Sequence, residues 1–276
     1  MPMNPVRLIG TDIDGTLLDS HSAIPERNLR AIWAAREKGI VFAISSGRFP
    51  ENVYLKMEDY GIRCPIVGSN GCRIVDENLN TLIERRMNPQ ASVRVAETLL
   101  ALGNDFFIFS DRVVCVSAEN GMHHSEVSHG EKMKTLGVKY YRGSENARRI
   151  AAGCVHKFFV CGNKPLEPVR EALLQIPDID LTQSSATNIE VMPLGVDKGQ
   201  GVKDLADSLG IPMSQVMTLG DEGNDVPMLR AAGYGVAMAN GSEQARAAAR
   251  FLTDTNDNCG FAKAVEKYAL GLSTAI

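Results

Sequence analysis

Short apolar runs alternate with segments of helical spacing at both ends of the chain. In the first part, the runs 6–9, 40–44 and 65–67 predict strands, and helices fit between them. This β-α-β-α-β order is typical of a doubly wound parallel sheet, because parallel strands need a crossover connection that a helix commonly supplies. The same alternation resumes late in the chain, with a helix over 199–209 and a strand over 215–219. We therefore predict an α/β fold with a Rossmann-like core.

A different pattern occupies the middle of the chain. Two apolar runs, 106–109 and 113–116, flank a short turn and predict paired strands, and further strands follow with few helices between them. Runs of strands of this kind favour an α+β domain with antiparallel strands. The predicted organisation is a doubly wound core at residues 1–84 and 193–276, interrupted by an α+β domain at residues 85–192.

Asp12 and Asp14 lie just beyond the first predicted strand. They are two residues apart, so in extended backbone their side chains point to the same side. Open α/β sheets bind ligands outside the carboxyl ends of their strands, where this pair lies. Gly15 permits a sharp turn, and we predict that the Thr16 hydroxyl holds the Asp14 carboxylate by a hydrogen bond. An Asp-Gly turn after a strand is also common without any function.

More polar motifs follow predicted strands, or begin a helix, in the same core. They are Ser46-Gly47-Arg48, Lys198, and Asp221 with Asn224 and Asp225. A doubly wound sheet can gather such groups at one edge, where carboxylates repel one another unless cations balance them. Because these motifs contain no cysteine or histidine, a hard divalent ion such as Mg2+ fits best. The Ser46 hydroxyl, the Gly47 amide and the Lys198 ammonium are then donors for a phosphate.

Within such a site the two leading aspartates have distinct predicted roles. Asp12 is a candidate nucleophile that attacks phosphorus, and Asp14 is a candidate general acid and base. Each motif also has a plainer interpretation: Ser46-Gly47-Arg48 as an ordinary loop, Lys198 as a solvated helix start, and the segment after Asp221 as an acidic turn.

Other kinds of site lack support in the sequence. The calcium-loop pattern fails at Asp221, because the alternating oxygen ligands and the downstream glutamate are missing. No GxGxxG dinucleotide fingerprint and no GxxxxGK[ST] phosphate loop occurs. The polar stretch 118–153 has no assigned elements and contains His123, His124 and His129. We interpret these histidines as a solvated segment or a substrate contact rather than a metal site.

Composition excludes several classes of protein. The 276 residues are 44% hydrophobic, with a net charge of −4 and no basic run, so a nucleic-acid surface is not expected. The six cysteines form no CxxC pair and no zinc-like spacing with histidine, so we interpret them as reduced thiols. No run approaches about 18 apolar residues and the amino terminus has no apolar signal core. We therefore expect a cytoplasmic protein with no membrane insertion.

The ordered motifs resemble those of the haloacid dehalogenase superfamily of phosphotransferases, in particular its Cof-type branch. The resemblance covers the whole chain and is carried by the motifs Asp12-Ile13-Asp14-Gly15-Thr16-Leu17-Leu18, Ser46-Gly47-Arg48, Asn70-Gly71, Val196-Asp197-Lys198-Gly199 and Gly220-Asp221-Glu222-Gly223-Asn224-Asp225. Ser46 stands where many relatives have threonine, which preserves the hydroxyl.

The resemblance implies a role for each of these motifs. It implies that Asp12 is the nucleophile and a Mg2+ ligand, and that Asp14 is the general acid/base with its backbone carbonyl on the metal. Asp221 looks like the third protein ligand, and Asp225 looks like a support of the metal shell. The implied phosphate contacts are Ser46, Gly47, Lys198, Asn224 and the Ile13 backbone amide.

The inserted domain resembles the family's large cap, which closes over the substrate and excludes water. Cap residues usually choose the substrate in such proteins. The candidates here are Asn188, Glu190, Arg112 and His156, and no specificity is assigned to any of them.

The predicted function is Mg2+-dependent hydrolysis of small phosphomonoesters through an aspartyl-phosphate on Asp12. Sugar phosphates and phosphorylated cofactors, such as pyridoxal phosphate or flavin mononucleotide, are the expected substrates, and no oligomeric state is predicted. One alternative is a phosphomutase, which returns the phosphoryl group to its substrate. Another is a regulatory protein that binds a phosphometabolite without turnover, although such a protein has no chemical need for Asp14.

Overall fold

The computed structural model describes residues 4–272, and the chain forms two compact units. The first unit covers the described residues up to Ser46, the segment Cys64–Val67, and the chain from Asp197 onward. The second unit comprises Gly47–Arg63 and Gly68–Val196. Residues 1–3 lie outside the described residues. The prediction that the amino terminus has no signal core rests partly on them. No helix within residues 4–272 is long and apolar enough to cross a membrane.

The strands are short and most of them are buried. In chain order they are β1 (Leu8–Thr11), β2 (Val41–Ser45), β3 (Ile66–Gly68), β4 (Arg73–Val75), β5 (Thr81–Glu84), β6 (Phe106–Ser110), β7 (Val113–Val116), β8 (Lys139–Arg142), β9 (Lys157–Cys161), β10 (Ile179–Thr182), β11 (Asn188–Pro193), β12 (Val216–Gly220), β13 (Tyr234–Ala237) and β14 (Phe251–Leu252).

The helices alternate with the strands in the first unit and are interspersed among them in the second. They are α1 (Glu26–Glu37), α2 (Pro50–Glu58), α3 (Pro89–Leu102), α4 (His124–Thr135), α5 (Ser144–Ala151), α6 (Glu167–Leu173), α7 (Lys198–Ser208), α8 (Val226–Ala231), α9 (Glu243–Ala248) and α10 (Gly260–Ala264). Short irregular helical turns cover Ile13–Leu17, Ser69–Gly71, Met213–Gln215, Gly223–Asp225 and Val265–Ala269.

A parallel sheet organises the first unit, with its strands in the order β14-β13-β12-β1-β2-β3. All four residues of β1 are buried, as expected for a central strand that is covered on both faces. Thr11 at the end of β1 is in register with Leu219 of β12 and with Ile44 of β2. The carboxyl ends of these three strands therefore lie side by side. The α/β fold with a parallel doubly wound core is confirmed.

Helix α7 packs on β1 at Gly10. A Cβ atom at Gly10 would lie 3.5 Å from Cγ2 of Val202, in the second turn of α7. The Asp197 carboxylate caps the amino terminus of α7 by accepting a 2.8 Å hydrogen bond from the Gln200 amide. Lys198 is the first residue of this helix, so the packing brings it to the end of β1.

The second unit contains a six-stranded sheet in the order β10-β11-β9-β6-β7-β8. Its neighbours pair antiparallel except for β7 and β8, which are parallel. The prediction of antiparallel strands is therefore wrong for that pair, because α4 serves as the crossover that a parallel pair needs. Both α4 and β8 fall in the polar stretch 118–153, where α4 buries only Ser125 and Met133.

The hairpin β4–β5 belongs to the second unit, together with α2. Its strands pair antiparallel as predicted, with Arg73 opposite Glu84. Arg73 is buried and forms a 2.7 Å ion pair with Glu51 of α2. The boundaries between the two units therefore differ from the predicted domain boundaries at residues 84 and 193. The division into a catalytic core and a cap at those residues stays a prediction.

Candidate active site

The turn after β1 carries Asp12. The Asp12 backbone is extended, and its amide donates a 2.9 Å hydrogen bond to Leu219 of β12, which continues the pairing of the strands. Gly15 then adopts a φ of 74°, and the Leu18 amide closes the turn on the Ile13 carbonyl at 2.9 Å. The Asp12 side chain is almost buried, whereas Asp14 is exposed. The two aspartates therefore occupy different environments.

Thr16 binds Asp221 rather than Asp14. Its hydroxyl lies 2.7 Å from Oδ1 of Asp221, directly after β12. The predicted bond from Thr16 to Asp14 is wrong, because the left-handed turn at Gly15 directs the buried Thr16 side chain towards the end of β12. A Cβ atom at Gly15 would lie 2.2 Å from Oδ2 of Asp221. The turn after β1 and the carboxylate after β12 therefore fit together only with glycine at this position.

Lys198 connects two carboxylates. Its Nζ atom donates hydrogen bonds of 2.6 Å to Oδ1 of Asp12 and of 2.6 Å to Oδ1 of Asp225. The side chain is only 1% exposed. Burial opposes its charge, but the attraction of Asp12 and Asp225 outweighs burial and raises the pKa of Lys198. Lys198 is therefore a fixed cation between the end of β1 and the turn that follows β12.

Asp225 shapes the turn that carries Asp221. Its Oδ2 atom accepts hydrogen bonds from the amides of Asp221 at 2.9 Å and Glu222 at 3.0 Å. A Cβ atom at Gly220 would lie 2.5 Å from the Asp225 Cβ and Cγ atoms, so the close turn needs glycine there. One oxygen of Asp225 thus holds the backbone, and the other binds Lys198.

Asp12, Asp221 and Asp225 form a buried carboxylate cluster. Each offers an oxygen, and these oxygens all lie within 4.8 Å of one another. Burial, together with the repulsion of Asp225 and Asp221, raises the pKa of Asp12 despite the attraction of Lys198. Burial and then the repulsion of Asp225 raise the pKa of Asp221 to about 7. One ammonium does not balance three carboxylates, so the cluster fits a divalent cation that prefers oxygen ligands, such as Mg2+.

The remaining predicted phosphate contacts lie in both units. Ile13 and Asn224 are buried in the turns after β1 and β12. Ser46 directly follows β2, and its amide donates a 2.9 Å hydrogen bond to the Val67 carbonyl. Gly47 belongs to the second unit, where a Cβ atom on it would lie 3.0 Å from Oδ1 of Asn70. The roles of these residues towards phosphate stay predictions.

A buried polar network lies beside Gly47 in the second unit. Lys157 forms an ion pair with Oε2 of Glu190, which also accepts a 2.9 Å hydrogen bond from Asn70. The Ser184 hydroxyl donates to the other oxygen of Glu190 at 2.7 Å. Sequence reasoning missed Lys157, because it lies in the apolar strand β9 where nothing in the pattern marks a lysine as functional.

The other predicted cap contacts are held within the second unit. Asn188 donates a 2.8 Å hydrogen bond to the Ser185 hydroxyl. Nε of Arg112 lies 3.4 Å from Oε1 of Glu51. His156 is fully buried, with Nε2 2.8 Å from Oε1 of Glu84. These contacts stabilise the unit's own structure, and any contact to a substrate stays a prediction.

The histidines of stretch 118–153 do not form a metal cluster within the described residues. His123 is mostly buried, with ring centroids 5.0 Å from Phe107 and 5.3 Å from Phe109, rather than solvated. Its Nδ1 lies 2.7 Å from the Ser125 hydroxyl. Burial lowers the pKa of His123 to about 4, so the ring is neutral at pH 7. The ring therefore packs against Phe107 and Phe109, and any contact of these histidines to a substrate stays a prediction.

Three comparisons relate the chain to known proteins. It matches the family model described as haloacid dehalogenase-like hydrolase over residues 9–265. It is 28% identical over 265 residues to the 5-amino-6-(5-phospho-D-ribitylamino)uracil phosphatase YcsE of Bacillus subtilis, and 96% of each chain is covered. It is 26% identical over 291 residues to the B. subtilis phosphatase YwtE, which is named for the same substrate, with coverage of 96% and 99%.

A solved structure of a haloacid dehalogenase-like hydrolase from B. subtilis superposes on the chain with a TM-score of 0.83. The identity is 25%, and the alignment covers 95% of this chain and 99% of the other. The family match spans both the parallel sheet and the inserted strands, and it includes the carboxylate cluster of Asp12, Asp221 and Asp225. The chain belongs to the haloacid dehalogenase-like hydrolases and is an enzyme of their phosphatase type.

Proposed function

We propose that this enzyme hydrolyses small phosphomonoesters with Mg2+ bound and with Asp12 as the nucleophile. The observation that carries the proposal is the position of the Asp12 carboxylate. It is nearly buried at the end of a central strand, 2.6 Å from Lys198 Nζ and in one cluster with Asp221 and Asp225. We expect the substrates to be sugar phosphates or phosphorylated cofactors. The relatives YcsE and YwtE are named for the phosphate ester of a ribityl chain, which is also a small phosphomonoester.

The proposed metal ligands are Asp12, Asp221 and the backbone carbonyl of Asp14, with Asp225 in support. The excess of carboxylates over ammonium groups and the raised pKa values of Asp12 and Asp221 support a cation at this position. Held by these groups, Mg2+ would supply positive charge to balance the phosphoryl oxygens and the attacking carboxylate. Lys198 restricts the Asp12 carboxylate to one orientation, which lowers the entropy cost of the attack.

Asp12 and Asp14 divide the chemistry between them. A carboxylate oxygen of Asp12 forms a bond to phosphorus while the bond to the ester oxygen breaks, and Asp14 gives its proton to that leaving oxygen. Asp14 then removes a proton from a water molecule that attacks the aspartyl-phosphate. Inorganic phosphate leaves, and both side chains return to their initial states. The exposure of Asp14 supports this role, because an exposed carboxyl group can exchange protons with solvent.

The transferred phosphate needs donors. We assign this role to the Ser46 hydroxyl, to the amides of Gly47 and Ile13, and to the side chains of Lys198 and Asn224. Support comes from the strand order, because β1, β2 and β12 are neighbours and Asp12, Ser46 and Asp221 follow their ends. We also propose that residues 85–192 act as a cap over the substrate and that the enzyme is cytoplasmic.

The first experiment measures phosphate release from a panel of phosphomonoesters. The panel includes sugar phosphates, pyridoxal phosphate, flavin mononucleotide and the ribitylaminouracil phosphate, each with Mg2+ and with a chelator. The wild type should release phosphate only with Mg2+. Asp12→Asn should lower kcat by about 1000-fold or more, because it removes the attacking oxyanion while keeping the shape.

The matched control is Asp207→Asn, which removes a carboxylate that is 58% exposed in an ion pair with Lys203. This variant should keep wild-type activity. Near-normal turnover by Asp12→Asn would overturn the assignment of the nucleophile. Product formation only when an activating bisphosphate is present, without release of phosphate, would identify a phosphomutase instead.

A second experiment tests Asp14. Asp14→Asn should slow the hydrolysis of sugar phosphates much more than that of an aryl phosphate, because an activated phenolate leaves without a proton. Burst kinetics with the aryl phosphate would show whether the aspartyl-phosphate accumulates. Equal losses on both substrates would mean that Asp14 supports the structure or the metal and is not the general acid.

A further inference from the structure

A second group of possible metal donors lies in the second unit, where Glu84, Cys154 and His156 converge. Nε2 of His156 is 2.8 Å from Oε1 of Glu84. Sγ of Cys154 is 3.9 Å from the same carboxylate oxygen and 3.9 Å from the same imidazole nitrogen. Cys154 and His156 have no zinc-like spacing in the sequence, and it is the folding of the chain that brings Glu84 beside them. No residue in this group takes part in the proposed phosphatase chemistry.

The backbone around these residues is held firmly. Cys154 and His156 are two residues apart just before β9, and such spacing places both side chains on one side of extended backbone. The intervening Val155 is buried, and its carbonyl accepts a 2.8 Å hydrogen bond from the Met87 amide. The His156 amide donates to the Phe109 carbonyl at 2.8 Å. The pair is thus fixed against β6 and against the segment that follows Glu84.

Glu84 is oriented by a separate contact. Its Oε2 atom accepts a 3.0 Å hydrogen bond from Nε of Arg86, whereas Oε1 faces His156 and Cys154. Nδ1 of His156 has no hydrogen-bond partner within residues 4–272, so the imidazole is oriented through Nε2. Oε1 of Glu84 and Nε2 of His156 therefore both face the Cys154 sulfur.

We propose that Glu84, Cys154 and His156 form a binding site for a thiophilic divalent transition metal ion of the Zn2+ class. Bonds of about 2.0–2.3 Å in a tetrahedral site place neighbouring donors about 3.3–3.6 Å apart. The two sulfur distances exceed this spacing slightly, and the distance between His156 and Glu84 is shorter. Side-chain shifts of about half an ångström would bring the three donor atoms to tetrahedral spacing. Three protein donors leave the fourth position to water.

The donor set also determines which ion is bound. Thiolate and imidazole ligands favour Zn2+ and similar ions, whereas Mg2+ selects oxygen ligands. A thiolate and a carboxylate balance the two positive charges of the ion, with His156 neutral. Binding replaces the S–H bond of Cys154 with a sulfur–metal bond and releases one proton to solvent, with no change in oxidation state. Glu84 and Cys154 are both partly exposed, which gives the ion a path of entry.

The test uses Co2+ as a spectroscopic substitute for Zn2+, added to the full-length protein. We expect one equivalent of Co2+ to produce a thiolate-to-cobalt charge-transfer band in the near ultraviolet and tetrahedral bands in the visible. Zn2+ should displace Co2+, and an excess of Mg2+ should not. Cys154→Ser should abolish the charge-transfer band, and Glu84→Gln should weaken Zn2+ binding at least about 10-fold.

The controls separate this site from other thiols and from the carboxylate cluster. Cys161→Ser removes another partly exposed cysteine and should leave the band intact. Asp12→Asn should also keep the charge-transfer band, whatever its effect on phosphate release. The metal site and the phosphatase function are therefore tested separately. Circular dichroism identifies any variant that does not fold, and protection of Cys154 from alkylation by Zn2+ gives a second readout in the wild type. The absence of the band in the wild type, or its persistence in Cys154→Ser, would overturn the proposal.

Discussion

Thr16 and Asp221 are 205 positions apart in the chain, yet the Thr16 hydroxyl donates a 2.7 Å hydrogen bond to Oδ1 of Asp221. This bond connects the turn after β1 to the turn after β12. It also fixes one of the carboxylates that would hold Mg2+, while Lys198 fixes Asp12. The two ends of the carboxylate cluster are therefore positioned by different side chains.

The Thr16–Asp221 bond should orient a metal ligand. Thr16→Val keeps the shape of the side chain but leaves Asp221 without its donor, so we expect Mg2+ affinity to fall about 10- to 100-fold. Thr16→Ser keeps the hydroxyl and should bind Mg2+ almost as the wild type does. Isothermal titration calorimetry measures both. Unchanged affinity in Thr16→Val would show that the bond contributes only to the fold.

Gly15 and Gly39 offer a matched pair of substitutions. Both have a φ near 75°, but a Cβ atom at Gly15 would collide with Asp221, whereas nothing lies within 4 Å at Gly39. Alanine should cost about 1–2 kcal/mol of unfolding free energy at Gly39, from the left-handed conformation alone. Gly15→Ala should cost more and should also lower kcat/KM by about 100-fold or more. Similar activity in the two variants would contradict the steric fit at Gly15.

Lys198 and Lys203 lie on the same helix and differ in burial. Lys198→Met leaves Asp12 and Asp225 without their shared cation, so we expect the unfolding free energy at pH 7 to fall by about 3–5 kcal/mol. Lys203→Met breaks an exposed ion pair with Asp207 and should leave the unfolding free energy almost unchanged.

Denaturant unfolding with and without Mg2+ provides the measurement for the lysine variants. Added Mg2+ should restore part of the stability of Lys198→Met, because the cation replaces the lost positive charge. A Lys198→Met protein as stable as Lys203→Met would mean that the buried carboxylates take up protons at little cost.

His123 should make stability depend on pH. Its pKa is about 4 in the folded protein and about 6.5 in an unfolded chain. Between these values the unfolded state binds a proton that the folded state does not. The unfolding free energy should therefore be complete above pH 6.5 and decrease by roughly 2–3 kcal/mol as the pH falls to 4.

The His123→Gln variant removes this titration, and the difference between its unfolding free energy and that of the wild type should shrink as the pH falls from 6.5 to 4. His21→Gln replaces an exposed histidine and serves as the control for the substitution itself. Parallel profiles for the wild type and His123→Gln would show that the buried ring is charged in the folded state.

The alternation of strands and helices was predictable because apolar periodicity reports burial directly. The order of β1, β2 and β12, and the gathering of Asp12, Asp221 and Lys198, follow from the rule that ligand groups collect at strand ends. Helix α4 was not predictable, because it buries few apolar residues and its sequence has no helical period.

The hydrogen-bond partners of buried polar groups could not be predicted from the sequence. Thr16 was assigned to its neighbour in the chain, but its hydrogen-bond acceptor is a residue from the far end. Cys154 and His156 were treated separately because Glu84, their common neighbour, lies 70 positions away from Cys154. Local spacing does not encode such contacts, since they depend on which strands become neighbours.

The order in which β1 acquires its neighbours has a consequence for synthesis on the ribosome. Strand β2 follows β1 closely, but β12 on the other side is translated about 200 residues later, after every strand of the six-stranded sheet. That sheet can form on the nascent chain while β1 still lacks one partner. Asp12 meets Lys198 and Asp221 only after β12 has been translated, so the carboxylate cluster is among the last features of the chain to assemble.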